Sequence, residues 1–180
     1  YALDSKYFAE FNFGFNGSER FAKSERFGFF PSFGVGWYVS NEPFMEQYED
    51  VITKLKLKGT YGLVGNDQIG SAEDRFFYIS QVNLNDGGMG SMFGEEFSNY
   101  INGVSIDRYA NDQITWEKAT MTNIGFELGL FGKFDLQADY FTEYRSNILM
   151  DRAQTPSTMG LQAAIRANVG EASPEGFEFT

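Results

Sequence analysis

Residues 26–45, RFGFFPSFGVGWYVSNEPFM, carry bulky apolar side chains at every second position: Phe27, Phe29, Phe33, Val35, Trp37 and Val39. The positions between them include Gly28, Ser32, Gly34, Gly36 and Ser40. A period of two puts the two sets on opposite faces of a β-strand, whereas a helix needs a period near 3.6. The stretch reads as a strand with one greasy face and one nearly bare face. Pro31 removes a ladder donor, which a strand accepts only at an edge, a bulge or its end, so local irregularity is expected there.

The same alternation recurs. In YFAEFNFGFN (7–16), Tyr7, Ala9, Phe11, Phe13 and Phe15 oppose Phe8, Glu10, Asn12, Gly14 and Asn16. In KLKLKGTYGLVG (54–65), Leu55, Leu57, Tyr61 and Leu63 oppose Lys54, Lys56, Lys58 and Thr60. TNIGFELGLF (122–131) sets Ile124, Phe126, Leu128 and Leu130 against Asn123, Gly125, Glu127 and Gly129. FDLQADYFTEY (134–144) sets Phe134, Leu136, Ala138 and Tyr140 against Asp135, Gln137, Asp139 and Glu143. GFEFT (176–180) supplies a sixth strand. The one helical candidate is SNEPFMEQYEDVITK (40–54), with Asn41 as N-cap and Glu42 and Pro43 in the first turn.

Composition removes most chemistry. The 180 residues hold 25 acidic against 14 basic side chains, a net charge of -11, so no basic stripe exists for nucleic acid or for an anionic membrane surface. There is no cysteine and no histidine. A disulfide framework, thiolate metal sites, the Ser-His-Asp triad and the commonest zinc ligand are thereby excluded, and neither an enzyme nor a cofactor protein is expected. No apolar run is long enough for a transmembrane helix. YALDSKYFAE is not a signal peptide, and a start in mid-pattern suggests an excerpt of a longer protein.

Half-buried sheets in soluble sandwiches alternate as well, so the period alone leaves both architectures open. Three features favour a membrane barrel. The strands run about ten residues or longer, as a tilted spanning strand requires. Their polar faces are unusually complete, with three lysines on one strand and Asp135, Gln137 and Asp139 on another. Aromatics gather at strand ends, at Trp37, Tyr38, Tyr61, Trp116, Tyr140 and Tyr144, where interfacial girdles lie. The connections agree: a tight turn at Gly132-Lys133, and long segments at 65–114 and roughly 150–175 on one common end, the parity of short periplasmic turns and long extracellular loops.

Specific strings sharpen this. GSERFAKSERFGFFPSFGVGW (17–37) resembles the segment GSxRF…RWGxFPSxxxGW of the SusC/RagA-like TonB-linked outer-membrane transporters. The resemblance continues through Glu42, Pro43, Phe44 and Met45, LKLKGTYGLVGN (55–66), ITWEKATMTNIGFELGLF (114–131), DLQADYF (135–141), Asn168, Gly170 and GFE (176–178). Phe27 replaces a common Trp, and Asp112 a frequent Pro. The variable stretch 67–110 falls outside the resemblance. It implies an all-β fold: an antiparallel transmembrane β-barrel segment of about six strands, from a barrel of about 22 strands. Residues 1–180 are then a partial barrel domain without plug or TonB-contacting regions, and 65–114 a long extracellular loop. By the same resemblance, the intact protein lies in the cell outer membrane as a multi-pass barrel. It imports glycan oligosaccharides or peptides with a SusD-like surface lipoprotein and TonB. A TonB-dependent receptor for iron chelates or a vitamin, and a soluble secreted β-domain that binds carbohydrate, are the alternatives.

Candidate residues follow from this reading. The apolar row Phe29, Phe33, Val35, Trp37, Tyr61, Phe126, Leu128 and Tyr140 is expected to face outer-membrane lipid and its interfacial girdles, with Trp37 on the periplasmic side. The bare row Gly28, Gly34 and Gly36 faces inward. Lys54, Lys56 and Lys58 could steer anionic cargo, but pairing with lumenal acids such as Glu127 or with plug carboxylates is the expected state, each pair contributing about 0.2–1 kcal/mol. In the long segment, Phe76, Phe77, Tyr78, Tyr100 and Tyr109 are candidate ligand contacts, because aromatic faces beside carboxylates suit polar ligands. Glu73-Asp74 and Glu95-Glu96 are read as solvated loop charge rather than acid/base pairs, since neighbours on an extended chain point to opposite faces. NDGGMG (85–90) is read as a glycine turn rather than a calcium loop.

Overall fold

The computed structural model describes residues 1–70 and 75–180, and the regular elements among them are strands apart from three short 3-10 turns. In chain order the strands are β1 (Ala2–Leu3), β2 (Tyr7–Gly17), β3 (Phe27–Tyr38), β4 (Ile52–Asn66), β5 (Gln81–Phe93), β6 (Asn99–Arg108), β7 (Glu117–Leu130), β8 (Phe134–Asp151), β9 (Arg166–Ala172) and β10 (Glu175–Phe179). β1, β2, β3, β4, β7, β8 and β10 follow one another across a single antiparallel sheet, and β9 also pairs with β8. β5 and β6 form a separate two-stranded ribbon.

Register explains how one face stays apolar. The β4–β7 ladder runs from Leu55↔Leu128 to Asn66↔Glu117 without a slip, and β7–β8 runs unbroken from Lys118↔Ser146 to Leu130↔Phe134. A slip of one residue would turn every side chain to the other face. β9 and β10 share one register on β8, since Arg145 pairs with Ala172 and Thr142 with Glu175. They are one strand interrupted at Ser173-Pro174, where Pro174 lacks a donor but its carbonyl still accepts from Glu143 N at 2.9 Å. The main sheet thus has six long strands: β2, β3, β4, β7, β8 and the β9–β10 strand.

Pro31 sits in an intact register with Phe13 of β2, and on its other side the β3–β4 ladder stops at Ser32↔Gly62. The irregularity expected at Pro31 is confined to that side, where no β4 partner has to be served. Residues 40–54 correct the helical expectation. They form two short 3-10 turns, Val39–Asn41 and Pro43–Tyr48, before β4 begins. Pro43 does open the second turn, but Asn41 caps neither; its side-chain amide donates to Ser5 O at 2.9 Å. Six residues of 3-10 geometry suffice to cross between neighbouring strands. The β7–β8 turn is centred one residue earlier than expected, on Phe131 and Gly132, with φ of 54° and 61°. Two consecutive positive φ values match the twist of the flanking strands.

The buried core lies at the end where the long connections emerge. It consists of Phe21, Phe30, Ile69, Phe77, Ile114 and Trp116, with Leu63 and Leu149 packed against it. Trp116 corrects the girdle reading. It is buried, its ring lies 5.3 Å from Phe21 and 5.2 Å from Phe30, and its indole N–H donates to Arg26 O at 3.3 Å. Asn168 ties this region together. Its amide donates to Thr115 O at 3.0 Å and to Asn147 O at 2.7 Å, and its carbonyl accepts from Thr115 N at 3.0 Å. Asn147 has a φ of 59° beside a register shift in β8, so Asn168 satisfies backbone that the bulge leaves unpaired.

Trp116→Ala in the intact protein is expected to cost about 3–5 kcal/mol, the range for emptying a large aromatic site. Phe29→Ala, which removes a ring already 52% exposed, should cost less. Thermal unfolding in detergent, followed by circular dichroism, compares the two.

Candidate functional site

Two faces and one end of the sheet carry features that a ligand, a membrane or a partner could meet. Register brings all eight residues of the expected lipid row onto one face. Phe33 stands opposite Tyr61, Trp37 opposite Leu57, Leu57 opposite Phe126, and Ile124 opposite Tyr140. Phe29 lies on the same face two alternations from Phe33. Phe29, Phe33, Val35 and Tyr61 are exposed, whereas Trp37, Phe126, Leu128 and Tyr140 are half-buried among their neighbours. Phe15 stacks on Phe27 at 5.4 Å and Phe13 lies 5.7 Å from Phe29, so the aromatic surface continues across β2 and β3.

The opposite face carries a charge network. Lys54 and Lys56 share the Glu127 carboxylate at 2.6 and 3.3 Å. The pairing expected between these lysines and Glu127 is therefore present. Lys58 reaches one strand further, to Asp139 of β8, with Nζ 2.9 Å from Oδ1 and 3.1 Å from Oδ2. Gln137 Nε2 donates to the same carboxylate at 2.8 Å. Gly125 lies between them on β7, and its missing side chain makes the reach possible: a Cβ there would stand 2.2 Å from Asp139 Oδ1 and 2.8 Å from Ala138 O. A chain of strong neighbours on one face is what a water-facing wall tolerates and an apolar core does not.

Glu42 is the centre of a second cluster, which the sequence placed in a helical turn and in the resemblance but with no partner. Its carboxylate accepts from Tyr7 Oη at 2.5 Å, Trp37 Nε1 at 3.0 Å and Lys6 Nζ at 3.3 Å. It is buried, and it fastens the β3–β4 connection to the ends of β2 and β3. The hydrogen bond from Tyr7, then that from Trp37, holds its carboxyl below the usual carboxylate range. The available signal was the alternating Tyr7 and Trp37, which register pairs directly.

The aromatic ligand candidates separate. Phe77 is buried in the core, with the Arg108 guanidinium 4.6 Å and the Arg166 guanidinium 5.8 Å from its ring centre. Its ring is covered by the core and by these two groups. Phe76 is exposed and meets Tyr78 edge-on at 6.5 Å. Tyr100 lies out on the β5–β6 ribbon, where its hydroxyl donates to Gly87 O. Tyr109 stands with Phe77 at a cavity of about 250 Å³, also lined by Gln81, Asp107, Arg108, Ile114, Asp151, Ala164 and Arg166. This cavity lies where the base of the ribbon meets the 152–165 connection. Hydrogen bonds stitch the two: Gln162 Oε1 accepts from Ile106 N at 2.7 Å, Gln162 N donates to Tyr109 Oη at 3.2 Å, and Asn111 Nδ2 donates to Arg166 O at 2.8 Å.

The remaining candidates are local. Glu73-Asp74 lies outside the described residues. Glu95-Glu96 is exposed at the ribbon tip. NDGGMG is not a turn between strands but an irregular part of β5, where the ladder slips between Asn83, Asp86 and Ser91. Asp86 Oδ1 accepts from Gly88 N at 2.7 Å, and bonds from Ser105 and then Gly88 hold its carboxyl below the ordinary range. Among the described residues no group of three acidic side chains is placed to hold a metal ion.

Comparison with known proteins follows from this geometry. No family profile matches the chain. The TonB-dependent receptor SusC of Bacteroides thetaiotaomicron is 30% identical over all of this chain, and the alignment spans 17% of SusC. The chain is thus similar to one segment of the SusC-type TonB-dependent receptors. TonB-dependent receptor P3 of Formosa agariphila is 29% identical over the whole chain and is likewise covered over 17% of its length. The RagAB peptide importer in its closed-closed state superposes with a TM-score of 0.76 over 98% of this chain and 18% of that one, at 24% identity. The chain therefore spans about a sixth of the length of its relatives. Six strands are a wall segment of a receptor-type barrel.

Two substitutions test the clusters. Gly125→Ala is expected to displace the Asp139 carboxylate and lower stability by about 1–3 kcal/mol, as overpacking does; denaturant unfolding of the intact protein measures it. For Glu42, the folded-state pKa lies below the unfolded value. Its stabilisation is present above the unfolded pKa and is lost as pH falls through the folded one. Glu42→Gln should therefore flatten the acid limb of the stability profile, and the melting temperatures of wild type and variant should converge at the acid end.

Proposed function

We propose that this chain is part of the wall of a TonB-dependent outer-membrane importer that takes up glycan oligosaccharides or peptides. The observation that carries this reading is the sheet itself. One continuous apolar aromatic face backs onto a charged, glycine-opened face, in a chain similar to SusC along its whole length. A lipid bilayer forbids unpaired backbone and open edges, so such a sheet is stable there only inside a closed barrel. In this reading Phe29, Phe33, Val35, Trp37, Tyr61, Phe126, Leu128 and Tyr140 meet lipid. The Lys54–Glu127–Lys56 and Lys58–Asp139 groups line the interior. The end with the β7–β8 turn and the Glu42 clasp is periplasmic, and the end with the β5–β6 ribbon is extracellular. A SusD-like surface lipoprotein captures cargo above that end, and TonB couples uptake to inner-membrane energy. The protein transports rather than catalyses.

The intact protein is expected in the detergent-extracted outer-membrane fraction together with a SusD-like lipoprotein encoded beside it. Uptake of radiolabelled oligosaccharide or peptide should fall to background when TonB is deleted. Recovery in the aqueous fraction without detergent, or uptake indifferent to TonB, overturns the proposal.

A further inference from the structure

The aromatic face is not evenly covered. Two rows of bulky side chains cross β2, β3 and β4: Tyr7, Trp37 and Leu57 nearer the Glu42 clasp, and Phe11, Phe33 and Tyr61 further along the strands. Between them the same ladders set Ala9, Val35 and Gly59 side by side. The result is an open groove of about 690 Å³ that runs across the strands, from Tyr1, whose backbone pairs with Ala9, to Ile124 of β7. Its lining includes one charged residue, Lys58, whose ammonium lies on the opposite face, 2.9 Å from Asp139 Oδ1. Gly59 is not required by its own neighbours. A Cβ there would meet only Val35 Cγ2 at 3.7 Å and Asn123 O at 3.9 Å, ordinary contacts, whereas at Gly125 a Cβ would stand 2.2 Å from Asp139 Oδ1. Glycine weakens a strand interior and often marks a place where another group approaches closely. Over Gly59 the described residues supply no such group. Length points to the occupant. The groove crosses four strand boundaries, from β1–β2 to β4–β7, so at about 4.8 Å each it is about 19 Å long. Spanning strands tilt by about 45°, which tilts a row perpendicular to them equally, so the groove climbs about 13 Å, close to the ~15 Å depth of one leaflet.

We infer that this groove holds one acyl chain of a phospholipid from the periplasmic leaflet, retained as a bound molecule while the surrounding lipid exchanges. A chain laid over Gly59 gives the bare backbone the apolar neighbour it lacks, and the bulky rows on both sides limit its sideways motion. Tyr7 and Trp37 flank the groove on the side of the Glu42 clasp, with their polar ends turned to the Glu42 carboxylate. Amphipathic rings of this kind sit at headgroup level, which places the lipid's polar end toward the periplasm. This inference rests on the importer reading, which puts the aromatic face in the bilayer, and it names the molecule seated there.

The test is native mass spectrometry of the full-length protein, extracted from its outer membrane in a mild maltoside detergent, with the bound lipid identified by its mass. Wild type should carry a phospholipid adduct. Gly59→Leu fills the groove and should lower its occupancy about tenfold, the change expected when about two methylenes lose their apolar contact. Gly59→Ala, whose methyl fits without displacing a neighbour, should lower it less, and it decides the matter if Gly59→Leu does not fold. Gly34→Leu adds the same bulk to the opposite face of β3, where a Cβ would meet only Thr60 Cγ2 at 3.5 Å, and should leave the adduct in place. Melting curves matching wild type show which variants fold. A membrane-extracted protein without an adduct, a lipid A adduct in place of phospholipid, occupancy indifferent to both Gly59 substitutions, or equal loss in Gly34→Leu each overturns the inference. Recovery of the protein in the aqueous fraction without detergent overturns the importer reading instead, so the two failures are distinguishable.

Discussion

The register of the six-stranded sheet is the constraint on which the rest of the molecule depends. Backbone ladders between β4, β7 and β8 run without a slip over the length of the strands, apart from the start of β4. Only an unbroken register keeps Phe33, Tyr61 and Phe126 on one side while Lys56, Glu127 and Asp139 stay on the other. Apolar side chains on the aromatic face contribute little by packing on one another, since many remain exposed in this sheet. Backbone hydrogen bonding gives the wall its geometry, and the alternation of side chains assigns each face its surroundings.

Charge and glycine act together on the opposite face. Three lysines of β4 face two carboxylates, and the spacing works because Gly125 leaves a gap through which Asp139 lies toward Lys58. Lys54 and Lys56 divide a single carboxylate, so neither holds a private partner. Outside the ladder, two devices hold the ends. Glu42 gathers three donors at the short-turn end, and Asn168 satisfies the bulge at the other. Both residues belong to the strings that carried the family resemblance, and both hold backbone and strand ends.

Much of this was legible in the chain because a half-buried strand writes its two faces in alternate letters. Five long strands, the terminal GFEFT strand, the common end of the long connections and the Lys–Glu127 pairing all follow from period two and adjacency. Other features were hidden for physical reasons. β5 and β6 are interrupted by Asp86-Gly87-Gly88 and by register slips, which erase the alternation that would have announced them. The helical pattern at 40–54 has its Pro43 at the start of a turn, but Asn41 caps nothing and the crossing is too short for an α-helix. Trp116 looked like an interfacial ring by its place near a strand end, and lies instead in a core assembled from four separate connections and strand ends. Phe77 looked available because its segment is polar, but two arginines from distant strands close over it.

By itself, the sequence determined the class of structure: long antiparallel strands with one apolar and one polar face, without the histidine or cysteine that most catalytic and metal sites use. Those properties are local, since each residue's face depends only on its neighbours in the chain. Tertiary structure alone decided which residues meet across long separations. Glu42 with Tyr7, Lys58 with Asp139, Phe21 with Trp116, and Phe77 with Arg108 and Arg166 lie far apart in sequence. Their meeting depends on strand order and on the paths of irregular connections, and no period in the chain encodes either.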